Sequence, residues 1–144
     1  ALLLPSLALA QGFNYEEIGI ELSIEDASYP PGGKGHILVK FTIPDGYEIS
    51  AEEGLLEVVL LNDVPGISVG ELIRVKPDKK DQIGGHYVGE KTLGLPFAVE
   101  KTAKDGAREL TFGFVMQACE SNGSCFPPTT KEEITRSIKI TISK

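Results

Sequence analysis

No cluster of lysine or arginine occurs anywhere in this sequence. Lys and Arg total 14 against 21 Asp and Glu, a formal net charge of −7. A surface able to track nucleic-acid phosphates is therefore missing, and nucleic acid is excluded as a partner. The acidity reads as an ordinary solvated surface. Long apolar runs are also missing: the apolar stretch at residues 1–10 has about half the ~20 residues a bilayer-spanning helix needs. Helical periodicity of useful length is absent, with room for one turn at residues 50–56, which argues against a helical bundle. Cysteine is scarce, at two residues, so the chain has at most one internal disulfide and no dense disulfide framework.

What is present suits one globular domain. The length of 144 residues is enough for one core. Hydrophobic residues at 41% and charged residues at 24% are those of a folded chain. The 16 glycines and 9 prolines imply many turns. Residues 1–10 are apolar and uncharged and end in Ala8-Leu9-Ala10. They read as a secretory signal-peptide remnant ending in an A-x-A cleavage site. The expected division is therefore a signal-peptide remnant at 1–10 and one domain at 11–144, exported to an oxidising compartment where two cysteines are expected to pair.

Alternation of period two marks strands. Ile37, Val39, Phe41 and Ile43 share one face, with His36, Lys40 and Thr42 on the other. Ile138, Ile140 and Ile142 alternate with polar residues near the other end. Shorter β-like runs lie at 18–24, 55–61, 67–75, 92–100 and 109–118, each bounded by Gly, Pro, Asp or Asn. Residues 78–81 read as a solvated charged turn. Seven or so short strands at this spacing predict an all-β fold, an immunoglobulin-like antiparallel β-sandwich.

Five residues separate Cys119 from Cys125, with Asn122-Gly123 between them. Asn-Gly tolerates positive φ at both positions, a hairpin-turn signal that would bring the two cysteines to face each other. Pro127 and Pro128 then end the pairing. In the chain-entropy picture, closing so short a loop stabilises by about 2.4 kcal/mol, against ~4–5 for a loop near 100 residues. Two readings stay open on these grounds: a redox pair, or a staple that ties a loop in a secreted binding or structural module. A Cys₂His₂ metal site with His36 and His86 has the wrong spacing. Both histidines read as surface or loop residues, and neither a metal nor a cofactor is expected.

The segment Gln117-Ala118-Cys119, five residues, then Cys125-Phe126-Pro127-Pro128 resembles the cysteine hairpin of the N-terminal domains of the thiol:disulfide interchange protein DsbD family. Thr42-Ile43-Pro44-Asp45-Gly46-Tyr47, Tyr87-Val88-Gly89 and Leu95-Pro96-Phe97 add weaker matches. The resemblance spans roughly residues 18–142. It implies a periplasmic immunoglobulin-like domain that takes electrons from a thioredoxin-like domain. The acceptors would be periplasmic thiol proteins such as disulfide isomerases. The domain would act as a monomer, either free or tethered to the inner membrane within a larger protein. It further implies that Cys125 forms the mixed disulfide and Cys119 resolves it, without a cofactor. A mobile loop at 84–89 would cap the cysteines with Tyr87, or with His86. Gln117, Phe126, Pro127 and Tyr47 would surround them. Glu48 and Ser50 stand where the family carries further tyrosines. Glu120 beside Cys119 adds negative charge and no basic residue flanks either cysteine, so the pair is expected to react slowly with small thiols.

Overall fold

The computed structural model describes residues 12–144; the signal-peptide expectation falls on residues outside that range. The described chain is an immunoglobulin-like antiparallel β-sandwich. Its strands are β1 (Gly19–Ile24), β2 (Lys34–Thr42), β3 (Tyr47–Ser50), β4 (Leu56–Leu60), β5 (Ile67–Val69) and β6 (Lys79–Asp81). There follow β7 (Gly84–Tyr87), β8 (Glu90–Val99), β9 (Gly106–Met116), β10 (Ala118–Glu120) and β11 (Thr135–Ile142). They form three sheets, ordered β1-β2-β8-β5, β11-β9-β4 and β10-β3-β7-β6. Among the described residues the helical content is one 3₁₀ turn, Tyr15–Glu17, capped by the Asn14 side chain accepting from the Glu16 N–H at 3.1 Å. No helix among them is long and apolar enough to cross a membrane.

Alternation builds the core. In β2, Ile37, Val39 and Phe41 are buried while His36 and Thr42 are exposed. In β8, Leu93, Leu95, Phe97 and Val99 face the same way, with Ile37 opposite Leu95 and Val39 opposite Leu93. Leu110, Phe112, Phe114 and Met116 of β9 come from the second sheet to meet them. The Phe41 and Phe114 rings stand edge to face at 6.3 Å, joining the two layers. Ile49, Tyr87 and Ala118 bring the third sheet into the same core.

Three expectations are corrected. The run at 67–75 forms only the short β5 and one further bridge, Ile73 to Gly94; the strand stops at Gly70, whose N–H donates to the Pro96 carbonyl while Pro96 has no N–H to return. The charged turn at 78–81 contains β6, and the glycine-rich stretch at 84–89 contains β7, which pair with each other. The single turn at 50–56 is present, with the Leu55 and Leu56 N–H groups both on the Glu52 carbonyl at 3.1 Å.

The longest strand changes sheets. β9 pairs with β4 and β11, and after Gln117 the same ribbon continues as β10 beside β3. Buried Thr129 holds the bend: its hydroxyl accepts from the Met116 N–H at 3.0 Å and donates to the Phe114 carbonyl at 2.8 Å. Phe114→Ala should lower stability by about 3–5 kcal/mol. Gly113→Ala should cost about 1–3 kcal/mol, because a methyl there overlaps the Lys131 carbonyl oxygen. Urea midpoints of the two variants check both, and midpoints equal to that of the unsubstituted chain would refute them.

Candidate functional site

Cys119 and Cys125 form a disulfide, with their Cα atoms 3.9 Å apart. Hydrogen bonding explains the pairing. The Glu120 N–H donates to the Ser124 carbonyl at 2.7 Å, and the Phe126 N–H donates to the Ala118 carbonyl at 2.9 Å. Cys119 and Cys125 lie between these two pairs, at the non-hydrogen-bonded position of an antiparallel ladder, where side chains come closest. The turn differs from the expected two-residue type. Ser121, Asn122 and Gly123 make a three-residue loop closed by a bond from the Gly123 N–H to the Glu120 carbonyl, and Gly123 alone has positive φ. Asn122 instead accepts from the Ser124 N–H through its side chain.

The two sulfurs have unlike surroundings. Cys119 is 0% exposed, whereas Cys125 sits on the exposed arm of the hairpin. Of the two, Cys125 is the one on the solvent side, while Cys119 is closed off from solvent.

Tyr47, Gln117, Phe126 and Pro127 are gathered around the hairpin. The Gln117 amide donates to the Phe126 carbonyl at 3.2 Å. Tyr47 stands opposite Glu120 in the ladder and packs 6.4 Å from the Phe126 ring. The sequence reading missed two residues that complete this cluster. Phe13 stacks between Tyr15, Tyr47 and Phe126 at 5.1, 4.8 and 5.6 Å. The Tyr15 hydroxyl accepts from the Ala118 N–H at 2.9 Å and donates to the Pro127 carbonyl at 2.8 Å, joining the two arms of the hairpin. The available signal was the aromatic pair flanking Asn14 just before the first strand.

Tyr87 and His86 are placed otherwise than expected. Tyr87 is a buried residue of β7, 0% exposed, with its hydroxyl on the Val75 carbonyl at 2.7 Å. His86 is a buried strand residue rather than a surface one. Its strand needs glycine at Gly85, where a Cβ would press on the Pro77 ring. His36 is exposed on β2, in a different sheet.

His86 belongs to a charged row that the sequence reading did not assemble. Glu48 of β3 is directly opposite Cys119 in β10, so their side chains share a face of the sheet. Glu120, next to Cys119 in sequence, is on the other face. The 1%-exposed Glu48 side chain takes the Lys79 ammonium at 2.6 Å on Oε2 and lies 3.5 Å from His86 Nδ1 through Oε1. His86 Nε2 is 3.3 Å from Asp81 Oδ1. The Ile83 N–H bonded to Asp81, and secondarily His86, holds that carboxyl below its ordinary range. Glu48, Asp81 and His86 offer ligand atoms within 4.8 Å of one another. The two carboxylates face opposite nitrogens of the ring, and Glu48 is already paired with Lys79.

No protein-family model matches the chain, and no curated protein matches it. Among solved structures, the chain is similar to the N-terminal domain of DsbD from Neisseria meningitidis in its reduced form. The identity is 18%, over 90% of this chain and 89% of that one, with a TM-score of 0.48.

Tyr15→Phe removes the acceptor of the Ala118 N–H and should cost about 1–3 kcal/mol, seen as a lowered urea midpoint and faster exchange of that amide. Burial raises the Tyr15 phenol above its ordinary value. The native state then holds the proton that the unfolded chain releases above pH ~10. Its contribution is full below that pH and is lost as pH rises through the folded value. The alkaline loss of stability should thus be smaller in Tyr15→Phe.

Proposed function

We propose that this chain is a thiol:disulfide exchange domain whose working pair is Cys119 and Cys125. One observation carries the reading: the disulfide joins a fully buried sulfur to an exposed one within a seven-residue hairpin that backbone bonds already hold. A staple there adds little, about 2.4 kcal/mol in the chain-entropy picture. The exposed and buried ends match an attacking and a resolving cysteine.

In the reducing direction the partner's thiolate attacks Cys125 Sγ, the Cys119–Cys125 bond breaks, and its electron pair goes to Cys119 Sγ. The partner's second thiolate then attacks its own sulfur in the mixed disulfide and frees Cys125. With a disulfide acceptor the steps reverse: Cys125 attacks and Cys119 resolves. The resemblance of the cysteine segment supports a thioredoxin-like domain as the electron donor and periplasmic isomerase-type thiol proteins as acceptors. It also supports residues 11–144 as an exported domain that follows a signal peptide at 1–10. The aromatic cluster of Phe13, Tyr15, Tyr47 and Phe126 borders the hairpin as a docking margin for such partners.

The competing reading is a secreted sandwich with a structural loop disulfide. Equilibration of the pair against glutathione separates the two. A reduction potential between about −200 and −270 mV, the range of disulfide carriers, is expected. A value below about −300 mV would mark a staple and sink the exchange reading. Cys119→Ser should accumulate mixed disulfides through Cys125, and Cys125→Ser should not.

A further inference from the structure

The cysteine hairpin lacks one rung. In an antiparallel ladder a hydrogen-bonded pair exchanges two bonds, each N–H going to the other residue's carbonyl. Ala118 and Phe126, the pair next to the cysteines, make only one of them, from the Phe126 N–H to the Ala118 carbonyl at 2.9 Å. The Ala118 N–H goes instead to the Tyr15 hydroxyl at 2.9 Å, and the Phe126 carbonyl takes the Gln117 side-chain amide at 3.2 Å. The same Tyr15 hydroxyl donates to the Pro127 carbonyl at 2.8 Å. One phenol oxygen thus stands in for the missing rung.

The arm that carries Cys125 depends on this oxygen. Pro127 and Pro128 have no N–H to give, so between Cys125 and Thr129 the Phe126 N–H is the one backbone donor bonded across the hairpin. Tyr15 itself is seated from outside the hairpin. Asn14 caps its 3₁₀ turn, and Ile18 at the end of that turn is 0% exposed. Phe13 packs 5.1 Å from the Tyr15 ring and 5.6 Å from the Phe126 ring. The position of the hydroxyl is therefore set by residues that the disulfide does not hold.

We propose that Tyr15 is a positioning residue for the cysteine pair, whose hydroxyl keeps the two arms of the dithiol hairpin together and so lowers the reduction potential. The proposal rests on the reading of the cysteines as an exchange pair. Linkage sets the sign. The disulfide enforces the closed arms in which Tyr15 makes both bonds, whereas in the dithiol the arms are free to part and break them. Bonds that are stronger in the disulfide form favour that form, and the disulfide favours the bonds by the same factor. In the resolving step the Cys119 thiolate attacks Cys125 Sγ of the mixed disulfide. The bond from Cys125 to the partner breaks, and its electron pair leaves on the partner's sulfur. Tyr15 takes no part in these bond changes; it narrows the space in which the two sulfurs must find each other.

The test compares the reduction potential of Tyr15→Phe with that of the unsubstituted domain, by equilibration against glutathione with thiol trapping. The equilibrium should move toward the dithiol about threefold to tenfold, the range of one hydrogen bond. That is a rise of about 15–30 mV, at ~30 mV per tenfold for a two-electron couple. Urea unfolding closes the cycle: the substitution should lower the stability of the disulfide form more than that of the dithiol form. Ellman's disulfide, mixed in slight excess with the reduced domain, reads the kinetics. Attack by Cys125 releases a first thionitrobenzoate at an unchanged rate, and closure by Cys119 releases a second about threefold to tenfold more slowly. Phe13→Leu, which loosens the seat of Tyr15, should shift the potential the same way by less, and it decides the question if Tyr15→Phe does not fold. A Tyr15 that merely supports the fold would lower both stabilities equally. Unchanged potentials in the variants that fold would overturn the proposal. The potential of the unsubstituted pair is judged separately. A value marking a staple would sink the exchange reading, while the difference between variant and unsubstituted domain would still report whether Tyr15 holds the pair.

Discussion

The change of strand partner at Gln117 is the constraint on which the site depends. This one residue gives its N–H to the Leu55 carbonyl at 3.1 Å and its carbonyl to the Ser50 N–H at 3.0 Å. Its side-chain amide goes to the Phe126 carbonyl. Up to Met116 the ribbon is a central strand of the sandwich, with alternate side chains in the core. Beyond it the same ribbon is the edge on which the cysteine hairpin is built. A slip of one residue would turn Cys119 to the opposite face, away from Glu48 and out of register with Cys125. Buried Thr129 replaces the ladder bonds that Pro127 and Pro128 cannot donate, so the return arm holds this register without a strand of its own.

Strands that alternate cleanly were legible. β2 and β11 have period-two patterns with branched residues on the core face, and the structure keeps both. The third sheet was not legible, for a physical reason. Glu48, Ser50 and His86 occupy buried positions in β3 and β7, so the polar residues there do not mark solvent. His86 is buried beside Glu48, 38 positions earlier in the chain. No window along the sequence shows that contact, and a lone histidine among glycines reads as loop. Tyr87, which the resemblance named, belongs to the same sheet, with its hydroxyl on the Val75 carbonyl.

The cysteine segment was legible in pairing and in neighbours but not in local geometry. Asn122-Gly123 marked the hairpin, yet Asn122 keeps negative φ and serves as a side-chain acceptor while Gly123 alone takes the left-handed position. The charge next to Cys119 was read from Glu120 because sequence neighbours are what a sequence displays. In a strand, successive side chains point to opposite faces, so the carboxylate that shares the face of Cys119 comes from β3, 71 positions away.

The proposed exchange role would require the fold to persist in both the disulfide and the dithiol state. The hairpin meets this requirement because the disulfide duplicates constraints that other bonds already impose. The Glu120–Ser124 and Ala118–Phe126 backbone bonds flank the cysteines, and the Tyr15 hydroxyl spans the arms. Phe13 packs against the Tyr47 and Phe126 rings from the side of the 3₁₀ turn. Opening the bond therefore releases only a small loop-closure entropy and disturbs no layer of the core. The cost that remains is electrostatic, a charge created at a buried sulfur opposite a buried carboxylate.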